Sequence, residues 1–323
     1  MGRRFSLPTS SPRKASCKIR GMAQTVFRSG YVSIIGRPNV GKSTLLNLIV
    51  GAKIAIITDK PQTTRNRILG IKNLPEAQAI FLDTPGIHKP PKLMNKIMVK
   101  TAMQATSGMD IIIFLTQVQR KVHPQDIFIL KCLCRAKCPV LLAINKCDLL
   151  PKHPEIDIEN ITQRYQSLLD FRETFHISAL ENRNVDALLE SVIGLLPEGP
   201  MYYPQETVTD LSEEFILAEI VREKLMMLTQ QELPYSTGVV VESIEEQEKG
   251  DQTLVRIHAT IYVERSSQKI IVIGKNGQML KRAGTLARKD METMLGLHVF
   301  LKLFVKVRER WTENKTILKR MGL

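Results

Sequence analysis

Long apolar runs are missing from this sequence, and no uncharged stretch approaches the length that spans a bilayer. Cysteine is also scarce: the chain has five, an odd number, and no second Cys or His cluster stands at zinc-ligand spacing. We therefore expect no membrane-spanning segment, no disulfide framework and no metal site built from protein ligands alone. The pattern favours free thiols in a reducing compartment.

Acidic residues are absent from residues 1–29, which hold seven Lys or Arg. This Arg- and Ser-rich segment has little periodicity, so it predicts a disordered tail, and its composition also resembles an organelle transit peptide. Met22 is an alternative start residue, which leaves open whether residues 1–21 are translated or cleaved. A transit peptide would place the protein in an organelle matrix; otherwise we expect it in the cytoplasm.

Basic residues dominate the other end of the chain as well. Residues 265–323 hold fourteen Lys or Arg against four Asp or Glu, within a formal net charge of +14 for the whole chain. A basic region of this kind indicates a polyanionic partner. Charge alone does not decide between nucleic acid, an anionic membrane surface and a merely solvated face.

Apolar runs alternate with amphipathic segments from Tyr31 onward. The runs predict strands at residues 31–35, 79–82, 111–115, 140–144 and 174–177. The amphipathic segments predict helices at residues 42–50, 95–107, 126–134 and 184–195. This alternation is typical of an α/β domain with a mostly parallel sheet covered on both faces, in which ligands bind beyond the carboxyl ends of the strands.

Pro and Gly residues cluster after Leu196 and indicate a domain boundary. We predict one domain over residues 30–197, a linker and connecting helix over 198–228, and a second domain with a C-terminal tail over 229–323. The connecting helix is expected to begin after Asp210 or Ser212 and to run to about Gln231. The second domain has the predicted order α-β-β-α-β, with a short helix before a Gly-containing turn and a longer helix at residues 278–295 after it.

A phosphate-binding loop is predicted between the first strand and the first helix. Residues 36–43 read GRPNVGKS and match G-x-x-x-x-G-K-[ST] in the required strand–helix context. Its glycines let the backbone wrap a phosphate, and successive N–H groups face the anion. Lys42 is expected to reach the outer phosphates and Ser43 to bind Mg²⁺.

Two further segments are expected near the phosphates. Asp83 ends a predicted strand in Asp83-Thr84-Pro85-Gly86, where it is placed to hold Mg²⁺ through water. Gly86 is expected to bring its N–H to the γ-phosphate. Between these motifs lies QTTR at residues 62–65, in which Thr63 or Thr64 is the predicted third Mg²⁺ ligand.

Guanine selection is predicted from the N-K-x-D motif that follows the strand at residues 140–144. The Asp148 carboxylate accepts hydrogen bonds from guanine N1–H and the exocyclic amine, a donor pair that adenine lacks. A backbone N–H of residues 178–180 is expected at the guanine oxygen. The predicted GTP contacts are Gly36, Arg37, Pro38, Asn39, Val40, Gly41, Lys42, Ser43, Thr44, Asp83, Thr84, Pro85, Gly86, Asn145, Lys146, Asp148, Ser178, Ala179 and Leu180.

An RNA-binding turn is predicted in the basic second domain. Residues 274–277 read GKNG, a G-x-x-G that lets a turn approach a sugar–phosphate backbone, as in KH domains. A lone G-x-x-G is a weak signal, but its α-β-β-α-β surroundings and basic charge support it. The predicted RNA contacts are Gly274, Lys275, Asn276, Gly277, Lys281, Arg282, Arg288 and Lys289.

In order, the motifs of residues 36–180 resemble those of translation-factor-class GTPases. Many such enzymes carry Gln directly after D-x-x-G, where this chain has Ile87. The chain is similar in this to a subgroup in which an Asn of the phosphate loop helps to bind K⁺, and Asn39 matches that position. The resemblance implies slow GTP hydrolysis to GDP, with catalytic roles for Lys42, Thr63, Thr64, Gly86 and Asn39.

Taken together, the two domains resemble the Era family over residues 30–323. Beyond the GTPase motifs, the resemblance includes residues 61–65 (PQTTR), 232–236 (ELPYS) and 263–265 (VER). It implies an α/β P-loop GTPase domain followed by a smaller α+β type II KH domain. It also implies binding to the 3′ end of small-subunit ribosomal RNA, a role in assembly of that subunit and association with the inner membrane surface. We expect a monomer. The alternative function is that of a membrane-associated signalling GTPase whose basic surface meets anionic lipid.

Overall fold

The computed structural model describes residues 4–6, 26–58, 60, 67–83, 108–229, 233–249 and 252–321. The predicted helix at residues 95–107 lies outside the described residues. The described chain forms two compact units. The first, the nucleotide unit, comprises the described residues of 4–51 and 67–210, and the second, the KH unit, comprises those of 52–66 and 211–321.

A six-stranded sheet forms the centre of the nucleotide unit, with strand order β3-β4-β2-β5-β6-β7. Only β3 among them runs antiparallel to its neighbour, so the prediction of a mostly parallel sheet is confirmed. The short β1 pairs with β8 in a separate two-stranded sheet. The strands are β1 Arg4–Ser6, β2 Arg28–Ile35, β3 Ile68–Leu74, β4 Ala77–Asp83, β5 Ile111–Gln117, β6 Val140–Asn145, β7 Glu173–His176 and β8 Thr207–Ser212.

Four helices belong to the described part of the nucleotide unit: α1 Lys42–Val50, α2 Pro124–Leu133, α3 Ile158–Gln166 and α4 Val185–Leu195. Helix α1 ends at Gly51, whose φ of 78° suits glycine. Helix α2 begins with Pro124 directly after His123, whose Nδ1 accepts a hydrogen bond from the Gln125 N–H. The apolar cluster under α2 and α3 joins Phe114 and Leu142 to Leu130.

The KH unit contains a three-stranded sheet of order β11-β10-β9, in which β10 is antiparallel to β9 and parallel to β11. Its strands are β9 Gly238–Lys249, β10 Gln252–Val263 and β11 His298–Val307. Its helices are α5 Glu213–Leu228, α6 Leu233–Ser236, α7 Ser266–Ile273, α8 Gln278–Leu295 and α9 Lys315–Arg320. The order of the main elements is α5-β9-β10-α7-α8-β11, as predicted for the second domain.

Helix α5 begins where the sequence predicts, because the Ser212 side chain accepts a hydrogen bond from the Phe215 N–H. It ends at Leu228 rather than near Gln231. The range 198–228, predicted as a linker with a connecting helix, contains both β8 and α5. Helix α5 belongs to the KH unit, whereas residues 198–210 belong to the nucleotide unit. The predicted domain limits themselves stay a prediction.

Candidate nucleotide site and RNA-binding turn

The phosphate loop occupies the turn between β2 and α1, and its two glycines are sterically required. A Cβ at Gly36 would lie 2.2 Å from the Leu115 carbonyl oxygen. Gly41 has a φ of 103°, and a Cβ there would lie 2.3 Å from Asn145 Nδ2. Asn39, at φ 62°, completes the tight turn. Because any side chain would clash, both glycines are fixed by the close approach of β5 and β6.

Lys42 and Ser43 stand at the first turn of α1. Lys42 is buried, and its Nζ donates to the Arg37 carbonyl oxygen at 3.1 Å. Burial lowers the pKa of Lys42, and the charge of Asp83 opposes that shift. Ser43 Oγ donates to Asp83 Oδ2 at 2.7 Å, which joins two of the predicted Mg²⁺ ligands. Thr44 follows within α1 and is half-buried.

Asn145 connects the phosphate loop to the loop after β7. Its Nδ2 donates to the Val40 carbonyl oxygen at 2.8 Å, and its Oδ1 accepts from the Ala179 N–H at 2.9 Å. The side chain is almost fully buried. The sequence predicts Asn145 as a nucleotide contact, and the structure adds a second role as the tie between two loops of the site.

Asp148 is held at the start of a short 3₁₀ helix, Cys147–Lys152. Ser178 Oγ donates to Asp148 Oδ1 at 2.6 Å and accepts from the Glu181 N–H at 3.2 Å. Lys146, at φ 66°, donates from Nζ to the Asn39 carbonyl oxygen at 2.7 Å. The N-K-x-D residues thus contact both the phosphate loop and the loop after β7, which contains Ser178 and is called the Ser178 loop. The side chain of Leu180 in that loop is exposed.

Arg37 is anchored by a polar cluster that sequence reasoning missed. Its guanidinium donates to Gln119 Oε1 at 2.9 Å and lies 3.5 Å from Asp126 Oδ2. Asp126, fully buried, also accepts from Thr116 and Tyr165 at 2.9 and 2.8 Å. In the sequence Asp126 looks like an ordinary acidic residue of a first helical turn, so no local signal marks its contact with the phosphate loop.

Five predicted site residues lie outside the described residues: Thr63, Thr64, Thr84, Pro85 and Gly86. Their roles stay predictions. The other predicted nucleotide contacts surround one edge of the sheet, at the carboxyl ends of β2, β4 and β6 and the loop after β7. This is the edge at which open α/β sheets bind ligands.

The G-x-x-G turn lies between α7 and α8. Gly274 has a φ of 73° and Gly277 a φ of 75°, and a Cβ at Gly274 would lie 2.7 Å from the Met279 Cβ. Asn276, at φ 52°, and Lys275 lie between them at the surface. The turn therefore presents backbone and one cation at the start of α8.

A groove of about 400 Å³ continues from the turn between α8 and β11. Of the predicted RNA contacts, Gly277, Lys281 and Arg288 line it, together with Leu301 and Leu303 of β11. Arg282 lines a neighbouring pocket on α8. Lys289 is exposed on the same helix but is not among the lining residues of either. The RNA contacts themselves stay a prediction.

Among the described residues, Cys132, Cys134, Cys138 and Cys147 are free thiols. Burial, followed by the charge of Asp148, raises the pKa of Cys147 to about 11. No cluster of metal-ligating side chains occurs in the part of the chain that the structure describes. No described helix is long and apolar enough to span a membrane.

The fold and the site define a P-loop GTPase joined to a KH domain. Family models match at both ends: "50S ribosome-binding GTPase" at residues 31–146 and "KH domain" at residues 232–312. GTPase Era of Geotalea uraniireducens is 52% identical over 301 residues, which cover 93% of this chain and 99% of that protein. GTPase Era of Syntrophus aciditrophicus is 47% identical, covering 94% and 98%. The chain belongs to the Era family of GTPases.

Solved structures agree with this assignment. An Aquifex aeolicus Era variant bound to GDP and AlF4⁻ is 40% identical with a TM-score of 0.80, covering 92% of this chain and 99% of that one. Era in complex with MgGDPNP and nucleotides 1506–1542 of 16S ribosomal RNA is 39% identical with a TM-score of 0.81 and the same coverage. The predicted family, fold class, GTPase activity and guanine-nucleotide cofactor are confirmed.

Proposed function

We propose that this GTPase binds the 3′ end of small-subunit ribosomal RNA through its KH unit and acts in assembly of that subunit in the cytoplasm. The observation that carries the proposal is the G-x-x-G turn, whose two positive-φ glycines open onto a groove lined by Lys281 and Arg288. A backbone turn of this kind clamps single-stranded nucleic acid, and the cations beside it attract phosphate. The related Era that was solved with 16S ribosomal RNA supports the choice of RNA.

Hydrolysis in this proposal depends on Mg²⁺, as in the related Era that holds MgGDPNP. The residues present fit that ion, because Ser43 Oγ and Asp83 Oδ2 are only 2.7 Å apart and oxygen atoms are the ligands that Mg²⁺ prefers. Mg²⁺ neutralises phosphate charge when bound. Lys42 would meet the outer phosphates, and Asp148 would bind the guanine edge, oriented by Ser178. Thr63 or Thr64, Gly86 and a K⁺ beside Asn39 complete the proposed site.

Nucleotide state and RNA binding are proposed to be coupled through residues 52–60. Lys53 Nζ lies 2.7 Å from Glu223 Oε2 and 2.6 Å from Asp290 Oδ2, within the KH unit. Asp290 lies in α8, the helix that starts at the G-x-x-G turn. The Lys60 ammonium donates to backbone carbonyls at the end of α5, those of Met226 and Thr229. A nucleotide-dependent change at the predicted Mg²⁺ ligands, three or four residues further on, would therefore act on elements that shape the RNA site.

Gly274→Asp tests the RNA site. The change puts a side chain where a Cβ alone would lie 2.7 Å from Met279, and it adds negative charge against phosphate. We expect RNA affinity to fall by at least about tenfold while GTP hydrolysis continues. The measurement is filter binding of an RNA carrying the small-subunit 3′ end, beside the same RNA with its sequence scrambled.

Gly296→Asp is the matched control, because Gly296 ends the same helix at a φ of 67°, and a Cβ placed there would have nothing within 4 Å of it. It introduces the same charge and a similar backbone strain away from the turn. Equal RNA affinity in the two variants would contradict the proposed site. The monomeric state, membrane association and the organelle alternative stay predictions.

A further inference from the structure

Strand β11 exposes a row of alternating aromatic and basic side chains. Phe300 and Phe304 are 48% and 49% exposed, and Lys302 and Lys306 are exposed beside them. Side chains alternate between the two faces of a strand, so these four residues share one face. We call this row the β11 strip. Both rings stand on one face of one strand, and grouped exposed apolar side chains are a mark of binding sites.

The β11 strip lies on the opposite side of the sheet from the G-x-x-G groove. Leu301 and Leu303, the intervening residues of β11, line the groove beside α8, and a Cβ at Gly284 would lie 3.4 Å from Leu303. The residues of the strip therefore point away from α8. A ligand on the strip does not compete with one in the groove.

The described chain covers one part of this outer face. Trp311, Ile317 and Met321 pack on Val240 and Tyr262. Phe300 stands opposite Arg256 in the register, and Phe304 opposite Thr260. Apolar side chains near the C-terminal segment are thus buried, whereas the rings of the strip remain in solvent.

Charge favours a polyanion at the strip. The Arg256 guanidinium lies 5.6 Å from the Phe300 ring centroid, and Lys302 Nζ lies 5.0 Å from that of Phe304. The exposed Glu245 and Glu246 belong to β9, the strand on the other edge of the sheet. Each ring therefore has a cation at hand. Glu245 stands opposite Arg256 on the neighbouring strand β9, whereas Lys302 and Lys306 of β11 stand opposite His258 and Tyr262 of β10.

We propose that the β11 strip is a second nucleic-acid site, on which bases of single-stranded RNA stack against Phe300 and Phe304. Exposed aromatics with interleaved cations on a sheet are the arrangement that binds single strands by stacking. The two rings are about 13 Å apart along the strand, so they engage separate bases. The inference rests on the proposed RNA-binding function and extends it to RNA that runs past the KH groove.

The test compares two pairs of ring substitutions in the full chain. Phe300→Leu with Phe304→Leu keeps apolar surface but removes both rings, and Phe300→Tyr with Phe304→Tyr keeps the rings. Affinity is measured for a single-stranded RNA of about five nucleotides, which the G-x-x-G clamp alone accommodates, and for one of about twenty. GTP hydrolysis and thermal unfolding check that each variant is folded.

We expect the Leu pair to bind the long RNA at least about fivefold more weakly for each ring removed and to bind the short RNA normally. The Tyr pair should bind both RNAs like the unmodified protein. Unchanged binding of the long RNA by the Leu pair, or equal losses for both lengths, would overturn the proposal. Binding of the short RNA by the Gly274→Asp variant tests the proposed function separately, because that variant keeps both rings. A loss of binding there supports the G-x-x-G site, whatever the result at the β11 strip.

Vesicles of phosphatidylglycerol and phosphatidylcholine distinguish a lipid ligand. Leu inserts into a bilayer about as well as Phe, so membrane binding would survive in the Leu pair, whereas base stacking would not. Flotation of the protein with these vesicles, retained by the Leu pair together with unchanged binding of the long RNA, would overturn the assignment to RNA.

Discussion

Asn145→Ala should weaken guanine-nucleotide binding without changing base preference. The substitution removes the 2.8 Å bond to the Val40 carbonyl and the 2.9 Å bond from the Ala179 N–H. Both backbone groups lie in a buried region where water does not readily replace the lost partner. The phosphate loop and the Ser178 loop then lose the side chain that connects them.

The expected magnitude follows from those two bonds. A buried donor or acceptor left without its partner costs about 1–3 kcal/mol, so two such groups cost roughly 2–6 kcal/mol. If at least 2 kcal/mol of this appears in nucleotide binding, the dissociation constant of GDP rises by roughly 30-fold or more. The affinity for GTP should fall by the same factor, because both lost bonds join Asn145 to protein backbone groups and neither involves a phosphate of the nucleotide.

Titration with a fluorescent GDP analogue measures the effect, and urea unfolding of the nucleotide-free protein shows how much of the cost falls on stability. Asn145→Asp is the matched variant: it retains an acceptor for the Ala179 N–H but loses the donor to Val40. An affinity within threefold of the unmodified protein, with unchanged stability in the Ala variant, would refute the reasoning.

Three further predictions concern other parts of the site and its neighbours. Asp148→Asn should lose at least about tenfold in GDP affinity and gain preference for xanthosine nucleotides in competition assays; unchanged guanine preference would count against its role. Hydrolysis should be faster in KCl than in NaCl, and Asn39→Ala should abolish that difference; equal rates in both salts would exclude the K⁺ role. Lys53→Gln should lower the free energy of urea unfolding by about 1–2 kcal/mol, since it leaves the nearly buried Glu223 with one cation fewer.

The sequence predicts the position of the candidate site wherever a motif directly follows the end of a strand. The phosphate loop, Asp83 and Asn145 each follow an apolar run, and such runs become parallel strands whose carboxyl ends meet at one edge. In the KH unit, helix α8 has the limits that the sequence predicts, because glycine stands on both sides of it at positive φ. Neighbouring residues along the chain are enough to predict these features.

The missing parts depend on contacts between distant residues. Strand β3 is absent from the sequence prediction because Gly70 and Lys72 interrupt its apolar pattern. The strand forms because it pairs with β4. The cluster of Asp126, Tyr165 and Arg37 brings together residues from three parts of the chain. Neither has a signature in spacing or composition, because long-range register and helix placement create both.

The Lys53 contacts show that order along the chain and order in space differ in this protein. A fragment ending at residue 197 would keep Lys53 yet lose Glu223 and Asp290, its two carboxylate partners. A fragment beginning at residue 198 would keep the carboxylates and lose the lysine. Cutting the polypeptide between residues 197 and 198 thus separates ion-pair partners that belong to the same KH unit, and assays on the separate fragments will underestimate the stability and activity of the intact protein.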